Sequence, residues 1–304
     1  MTPLREIDAG TFQDPLFKLA RTLSLKVDRE GPGLKFAPDY VSVDLFALIR
    51  QATFTCKFFF YLNADERRAE DTHWDTAYTF VAAPLVRTII DCLYNITYIL
   101  QAPRSNGKAF RQAGYRKELE GMDSDEKKYS GQSDWDDYFK EKRNSLSIAM
   151  RQNNLLEAEI RKQEPWKTLG QYLNQKGKGG SLTPHQAFLQ TFTYGIWREY
   201  SAMLHGGFDG LLPSAAYFMR DAQKFEIRER MDEVFPQQMS LHMSRAAGIL
   251  ICILTEIQGH FKFKEADIDA RLHRLWNALM PVYEIKELYD DHYEQFMAKR
   301  RIKP

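Results

Sequence analysis

Arg198, Ser201 and His205 are spaced so that a helix brings all three to one face, with Tyr194 beside them. A guanidinium can clamp a phosphate through two parallel hydrogen bonds. An imidazole, with an ordinary pKa near 6.5, can take or give a proton at neutral pH. A hydroxyl one turn away can orient that ring. Such groups can hold an anion and exchange protons, and their spacing by itself fixes no reaction. His205 also has a plainer use, since an imidazolium at a helix C-terminus favours the dipole.

The element that must position them runs from Thr183 to Gly207, TPHQAFLQTFTYGIWREYSAMLHGG. Thr183 is a good N-cap, Pro184 suits the first helical position, and Gly206-Gly207 can end the helix in a left-handed conformation. A second helix, Ala83–Gln101, is apolar around most of its circumference and should be central. Yet Arg87, Asp91, Tyr94 and Tyr98 fall within roughly 60° of one another on it, flanked by Asn95. Two readings stay open. In one, Arg87 and Asp91 form an i,i+4 pair and the tyrosines bond to solvent or backbone. In the other, this stripe faces the Arg198/His205 stripe and completes one cleft. There Arg87, held by Asp91, lines the cleft with Tyr94, Tyr98 and Tyr194 as groups able to contact a substrate.

The Arg198-x6-His205 spacing, followed by Gly206-Gly207, resembles that of HEPN-superfamily helical domains. The segments RTIIDCLYNITYIL and YSAMLH resemble a group of bacterial helical proteins with an Arg/acidic helix and a Tyr-Ser-x3-His helix. The likeness covers two helices. It implies a helical effector acting as a metal-independent ribonuclease in stress or phage defence, working as a homodimer that brings two such helices together. It equally implies the alternative seen in members that have lost catalysis: a helical module binding a nucleotide, RNA or a partner protein. Family enzymes commonly carry Asn, Asp or His directly after the arginine. Here Glu199 stands there, and its carboxylate opposes a phosphate.

Nothing else in the chain competes. No HExxH, Gly-rich phosphate loop or Gly-x-Ser-x-Gly elbow occurs, so no metal or cofactor is expected. Glu256 and His260 lie i,i+4 but lack the further glutamates and second Glu-x-x-His of a di-metal bundle. Asp290-Asp291-His292 reads as a solvated helix face. His73, His185, His242 and His273 read as caps or surface groups, Phe58–Tyr61 as core, and the terminal MAKRRIKP as a solubilising end.

Lys and Arg number 42 against 41 Asp and Glu, so no global field draws the chain to nucleic acid or membrane. The N-terminus has no signal-peptide core, and the longest apolar run, Ala246–Leu254, is about half a membrane span. Cys56, Cys92 and Cys252 lie far apart in apolar segments, as buried free thiols would in a reducing compartment. A cytoplasmic protein without membrane contact is the expectation.

Helical periodicity dominates from end to end. The expected architecture is all-α, a bundle of long helices forming a single domain over 1–304, with 123–180 as a polar, partly flexible insertion. Expected helices follow Pro15 and run from about Val43 to Arg68, Asp75 to Gln101 (broken or kinked at Pro84), Asp221 to Val234, Gln237 to Phe261 and, as two, Glu265 to Lys299. Pro103–Gly107 is expected as a loop, with a polar helix after it to about Glu120. Met122–Asp137 is expected to be flexible, and Lys176–Gly180 to be a linker.

Overall fold

The protein, seen in a computed structural model that describes residues 4–32, 39–62, 72–175, 181–204 and 227–294, is all-α; among the described residues there is no strand. A one-turn 3-10 helix, Leu4–Glu6, precedes α1, Ala9–Glu30. Asp8 caps α1 by accepting from the Thr11 backbone N–H at 2.9 Å. That cap starts the helix ahead of Pro15, which lies inside it rather than before it. α2 spans Asp39–Leu62 and α3 spans Thr72–Gln101. α3 continues through Pro84, where a break or kink was expected; the element is a single helix.

The first clear departure from the sequence reading is Pro103–Gly107. Instead of a loop, it is the opening turn of α4, Pro103–Lys128. Pro103 occupies a position whose N–H would have no intrahelical acceptor anyway. Gly107 is there for packing: a Cβ on it would meet Val41 Cγ2 at 2.5 Å. The missing side chain lets α4 approach α2 closely.

Met122–Asp137 is also corrected. α4 carries through to Lys128, Gly131 turns the chain at φ 84°, and α5 begins at Ser133 and runs to Gln152. Tyr129 stacks on Trp135 with ring centroids 4.7 Å apart, and Arg143 reaches back from α5 to Asp123 and Glu126 at 2.9 and 2.7 Å. Polar composition here built a helical hairpin held by charge pairs and aromatic stacking. Leu119, Met122, Phe139, Met150, Leu155 and Ile160 form a second, smaller core beneath it, reaching the short α6, Glu157–Ile160.

α7 (Leu169–Leu173) and α8 (Pro184–Leu189) each begin with a complete capping box, Thr168/Gln171 and Thr183/Gln186. Lys176–Gly180, between them, lies outside the described residues. A π-helical turn, Gln190–Tyr194, joins α8 to α9, Gly195–Leu204. α10 spans Ile227–Phe261, so the two helices expected on either side of Pro236 are one, at least from Ile227 onward. α11 (Ala266–Leu279) and α12 (Tyr283–Leu288) follow, the latter continuing into a π-turn, Tyr289–Tyr293.

The main core lies where α3 packs on α2 and α10, with α1 and α11 flanking. Ile89, Ile90, Leu93 and Ile96 of α3 meet Leu250, Ile253, Leu254 and Ile257 of α10 in one fully buried cluster. Each such side chain contributes roughly 1.5–3 kcal/mol on leaving water. Gln238–Phe261 is long and apolar enough to cross a membrane, but 83% of its apolar window is buried inside the protein, as for a core helix. Cys56, Cys92 and Cys252 are buried free thiols.

Candidate functional site

α3 and α9 pack directly against each other, and the polar stripe of α3 meets α9 at its upper half. Arg87 Nη1 lies 2.8 Å from Asp91 Oδ2, the i,i+4 pair legible in the sequence. The Arg87 guanidinium sits 4.4 Å over the ring of Trp197 from α9, and Trp197 Nε1 donates to Asp91 Oδ1 at 3.2 Å. A cation over an indole face is favourable, more so when partly desolvated. These three residues clasp the two helices together. Burial pushes the Asp91 carboxyl above the ordinary carboxylate range, against the opposing pull of Arg87 and Trp197. Burial also lowers Arg87, with Asp91 resisting. Arg87 Nε is buried with no hydrogen-bond partner.

The lower half of the stripe turns elsewhere. Tyr94 is buried, and its hydroxyl donates to the Lys167 carbonyl at 3.0 Å. Tyr98 packs edge-on against Trp166 and Tyr172, with centroids 5.2 and 5.0 Å away. Trp166 Nε1 donates to Asn95 Oδ1 at 2.8 Å. The expectation that Arg87, Asp91, Tyr94 and Tyr98 act as one wall facing α9 therefore needs correcting. α3 is 30 residues long and α9 only 10, so one partner cannot cover the stripe. The segment from Pro165 to α7 covers the rest.

On α9 itself, Arg198 is exposed and, among the described residues, makes no ion pair or hydrogen bond. Ser201 Oγ donates to the Trp197 carbonyl at 2.6 Å, a bond to its own helix that takes its proton away from any imidazole. Tyr194 stacks nearly parallel to Trp197, at 6.1 Å and 15°. The π-turn before α9 sets this register, which a uniform 3.6-residue count does not include. His205, Gly206 and Gly207 lie outside the described residues. The site as described holds Arg87, Asp91, Trp197, Tyr194 and Ser201 together at the seam. Arg198 is on its solvent side, and Tyr94 and Tyr98 are apart from it.

Glu199, the residue out of keeping with the resemblance, is occupied. Arg245 Nη1 from α10 lies 3.2 Å from its carboxylate and donates to Tyr200 Oη at 2.7 Å. Tyr200 in turn bonds to His242 Nδ1. Burial and the Arg245 charge push His242 down to about 4, so it stays neutral and accepts a hydrogen bond from the Tyr200 hydroxyl. His242 is thus a core group rather than a cap or surface one.

His185 is likewise internal. Thr97 Oγ1 donates to the Leu93 carbonyl at 2.8 Å, so toward His185 Nε2, 2.9 Å away, it accepts. That fixes the tautomer with hydrogen on Nε2 and leaves Nδ1 to accept from Tyr172 Oη at 2.9 Å. Burial pushes its pKa down to about 4. Glu256 Oε1 accepts from Tyr293 at 2.8 Å, and burial raises its carboxyl above the ordinary range. Among the described residues no group of three or more His, Cys, Asp or Glu gathers as a metal site.

Sequence reasoning missed Trp197 and Arg245. Arg245 had a usable signal, a lone cation in the apolar stretch leading to Leu254. Trp197 had none, because nothing local says that its indole reaches an acid 106 residues away. Compared with known proteins, the chain matches no family model, no curated protein and no solved structure.

Proposed function

We propose that this chain is a HEPN-like helical effector that binds RNA along the solvent edge of α9 and cleaves it without a metal, with Arg198 and His205 as the working pair. The observation that carries the reading is Arg198: an exposed guanidinium without an internal partner among the described residues, beside the Arg87–Asp91–Trp197 clasp. In this reading Arg198 neutralises the scissile phosphate and His205 exchanges the proton. Trp197 and Asp91 hold α9 in register, and Ser201 stiffens the helix rather than orienting the base. The Arg245 contact tempers the repulsion expected of Glu199. A homodimer pairing two α9 helices would supply a second Arg198 and His205, and the cytoplasm, in a stress or phage-defence response, is the setting the reading assumes.

A second reading, binding of RNA or a nucleotide without turnover, is favoured by one observation. Arg87, Asp91, Tyr94 and Ser201 all spend hydrogen bonds inside the protein, which leaves few groups for chemistry. One experiment separates the two. RNA is incubated with wild type, Arg198→Ala and His205→Ala in EDTA, and RNA binding is followed in parallel by fluorescence anisotropy. Cleavage by wild type that both variants lose supports the ribonuclease. Binding that Arg198→Ala weakens, with no cleavage by any form, supports the non-catalytic module. Equal behaviour of all three forms refutes both.

A further inference from the structure

A cleft of about 250 Å3 opens between α9, α10 and α12, away from the α3 seam. Its walls are aliphatic, from Ile196, Ile285 and Leu288, with Gly248 also lining it. At one side stands Arg245. Its hydrogen bonds to Glu199 and Tyr200 both use Nη1, which leaves Nε and Nη2 as donors without a partner among the described residues, on a residue that lines the cleft. At the other side are three carboxylates, Glu284, Glu287 and Asp291, none of them in an ion pair among the described residues. The nearby Lys286 does not offset them, because it pairs with Asp290. His292 also lines the cleft, and its Nε2 is buried without a hydrogen-bond partner.

An anion alone would meet three negative charges here, and a simple cation would meet a guanidinium. A ligand carrying both charges at the ends of an aliphatic chain meets neither objection. We infer that this cleft binds a free basic α-amino acid of the lysine or ornithine class. Its carboxylate takes the open edge of Arg245, its methylenes lie along Ile196, Ile285 and Leu288, and its side-chain ammonium faces Glu284, Glu287 and Asp291. The volume is below the roughly 300–1,000 Å3 of drug-sized sites, which suits a single amino acid. Charge-assisted hydrogen bonds at both ends supply specificity that the aliphatic walls do not. The site stands apart from RNA binding, and neither reading depends on the other.

Isothermal titration calorimetry of the full chain tests it with L-lysine and L-ornithine, alongside cadaverine, which lacks the carboxylate, and norleucine, which lacks the terminal ammonium. Saturable binding of lysine or ornithine is expected, weakened roughly tenfold or more for both controls, since each loses a charge-assisted contact. Glu287→Gln with Asp291→Asn should weaken lysine binding similarly. Both side chains are exposed, and unchanged far-ultraviolet circular dichroism would confirm that the fold is kept. Lack of saturable heat with either amino acid overturns the inference. So does equal binding of cadaverine or norleucine, equal binding by the double variant, or uptake of magnesium or calcium ions alone.

Discussion

Lowering the pH from 7 to 5 should destabilise this protein through two buried imidazoles, His185 and His242. Both are neutral hydrogen-bond acceptors at Nδ1, for Tyr172 and Tyr200 respectively, and protonation would turn each acceptor into a donor facing another donor. Each has a folded-state pKa of about 4 against an ordinary 6.5. The unfolded chain therefore binds more protons throughout that window. The contribution is fully present above 6.5, falls as the pH drops toward 4, and changes no further below it. At pH 5 each histidine costs about 2 kcal/mol relative to neutral pH, and the pair about 4 kcal/mol, a large share of the 5–15 kcal/mol typical of a folded domain.

Other groups act in the opposite sense. Burial raises Asp44 to about 6 from 3.8, even with Arg111 bonding both its oxygens, and raises Asp91 and Glu256 as well. Those acids regain stability as the pH falls, so the raw curve of the wild type mixes both signs. Glu256 and His260 share a cavity with His185, and Arg245 with Glu199 sits beside His242. A variant in which only the imidazoles change separates the terms: His185→Gln keeps a donor toward Thr97, and His242→Asn keeps an acceptor toward Tyr200. Urea denaturation followed by circular dichroism at pH 7 and pH 5, each protein compared with itself, gives two pH-induced losses. The wild type should lose about 4 kcal/mol more than the double variant. Losses equal to within about 1 kcal/mol would refute the reasoning, since the acids are common to both proteins.

The clasp between α3 and α9 should be sensitive to Trp197→Ala, which removes the ring under Arg87 and the donor to Asp91; because Trp197 is only half-buried, a loss of about 1–3 kcal/mol is expected by chemical denaturation. Asp91→Asn should cost less than Asp91→Ala in the same assay, because the amide retains an acceptor for Trp197. Gly107→Ala should destabilise by about 1–3 kcal/mol through its clash with Val41, and Val41→Ala in the same chain should recover part of that. Arg198→Ala, at an exposed position, should leave the thermal midpoint nearly unchanged while weakening RNA binding. A large fall in midpoint would mean that Arg198 serves the fold.

The class of fold and the central place of α3 were legible because they follow from local patterns. Apolar residues at 3.6-residue spacing, Thr183 before Pro184 and the i,i+4 spacing of Arg87 and Asp91 each act within a turn or two of chain. The misreadings share a cause. Pro103–Gly107 has a loop's composition, but the nearness of Val41, far back in the chain, gives Gly107 its purpose. Met122–Asp137 looks unstructured when read alone, and becomes a hairpin because Arg143 and Trp135 return to it from α5.

The same division runs through the candidate site. Sequence alone could put Arg198 and Ser201 about one turn apart on a single helix, since helix geometry settles angle. It could not say that Ser201 would bond to its own backbone, that Tyr94 and Tyr98 would turn to Lys167 and Trp166, or that Trp197 would bind Arg87 and Asp91. Those outcomes depend on which helix covers which length of α3, and they are decided only when the whole chain packs. Local hydrogen bonding and periodicity specify elements one at a time, whereas burial and charge pairing are properties of neighbours that folding alone brings together.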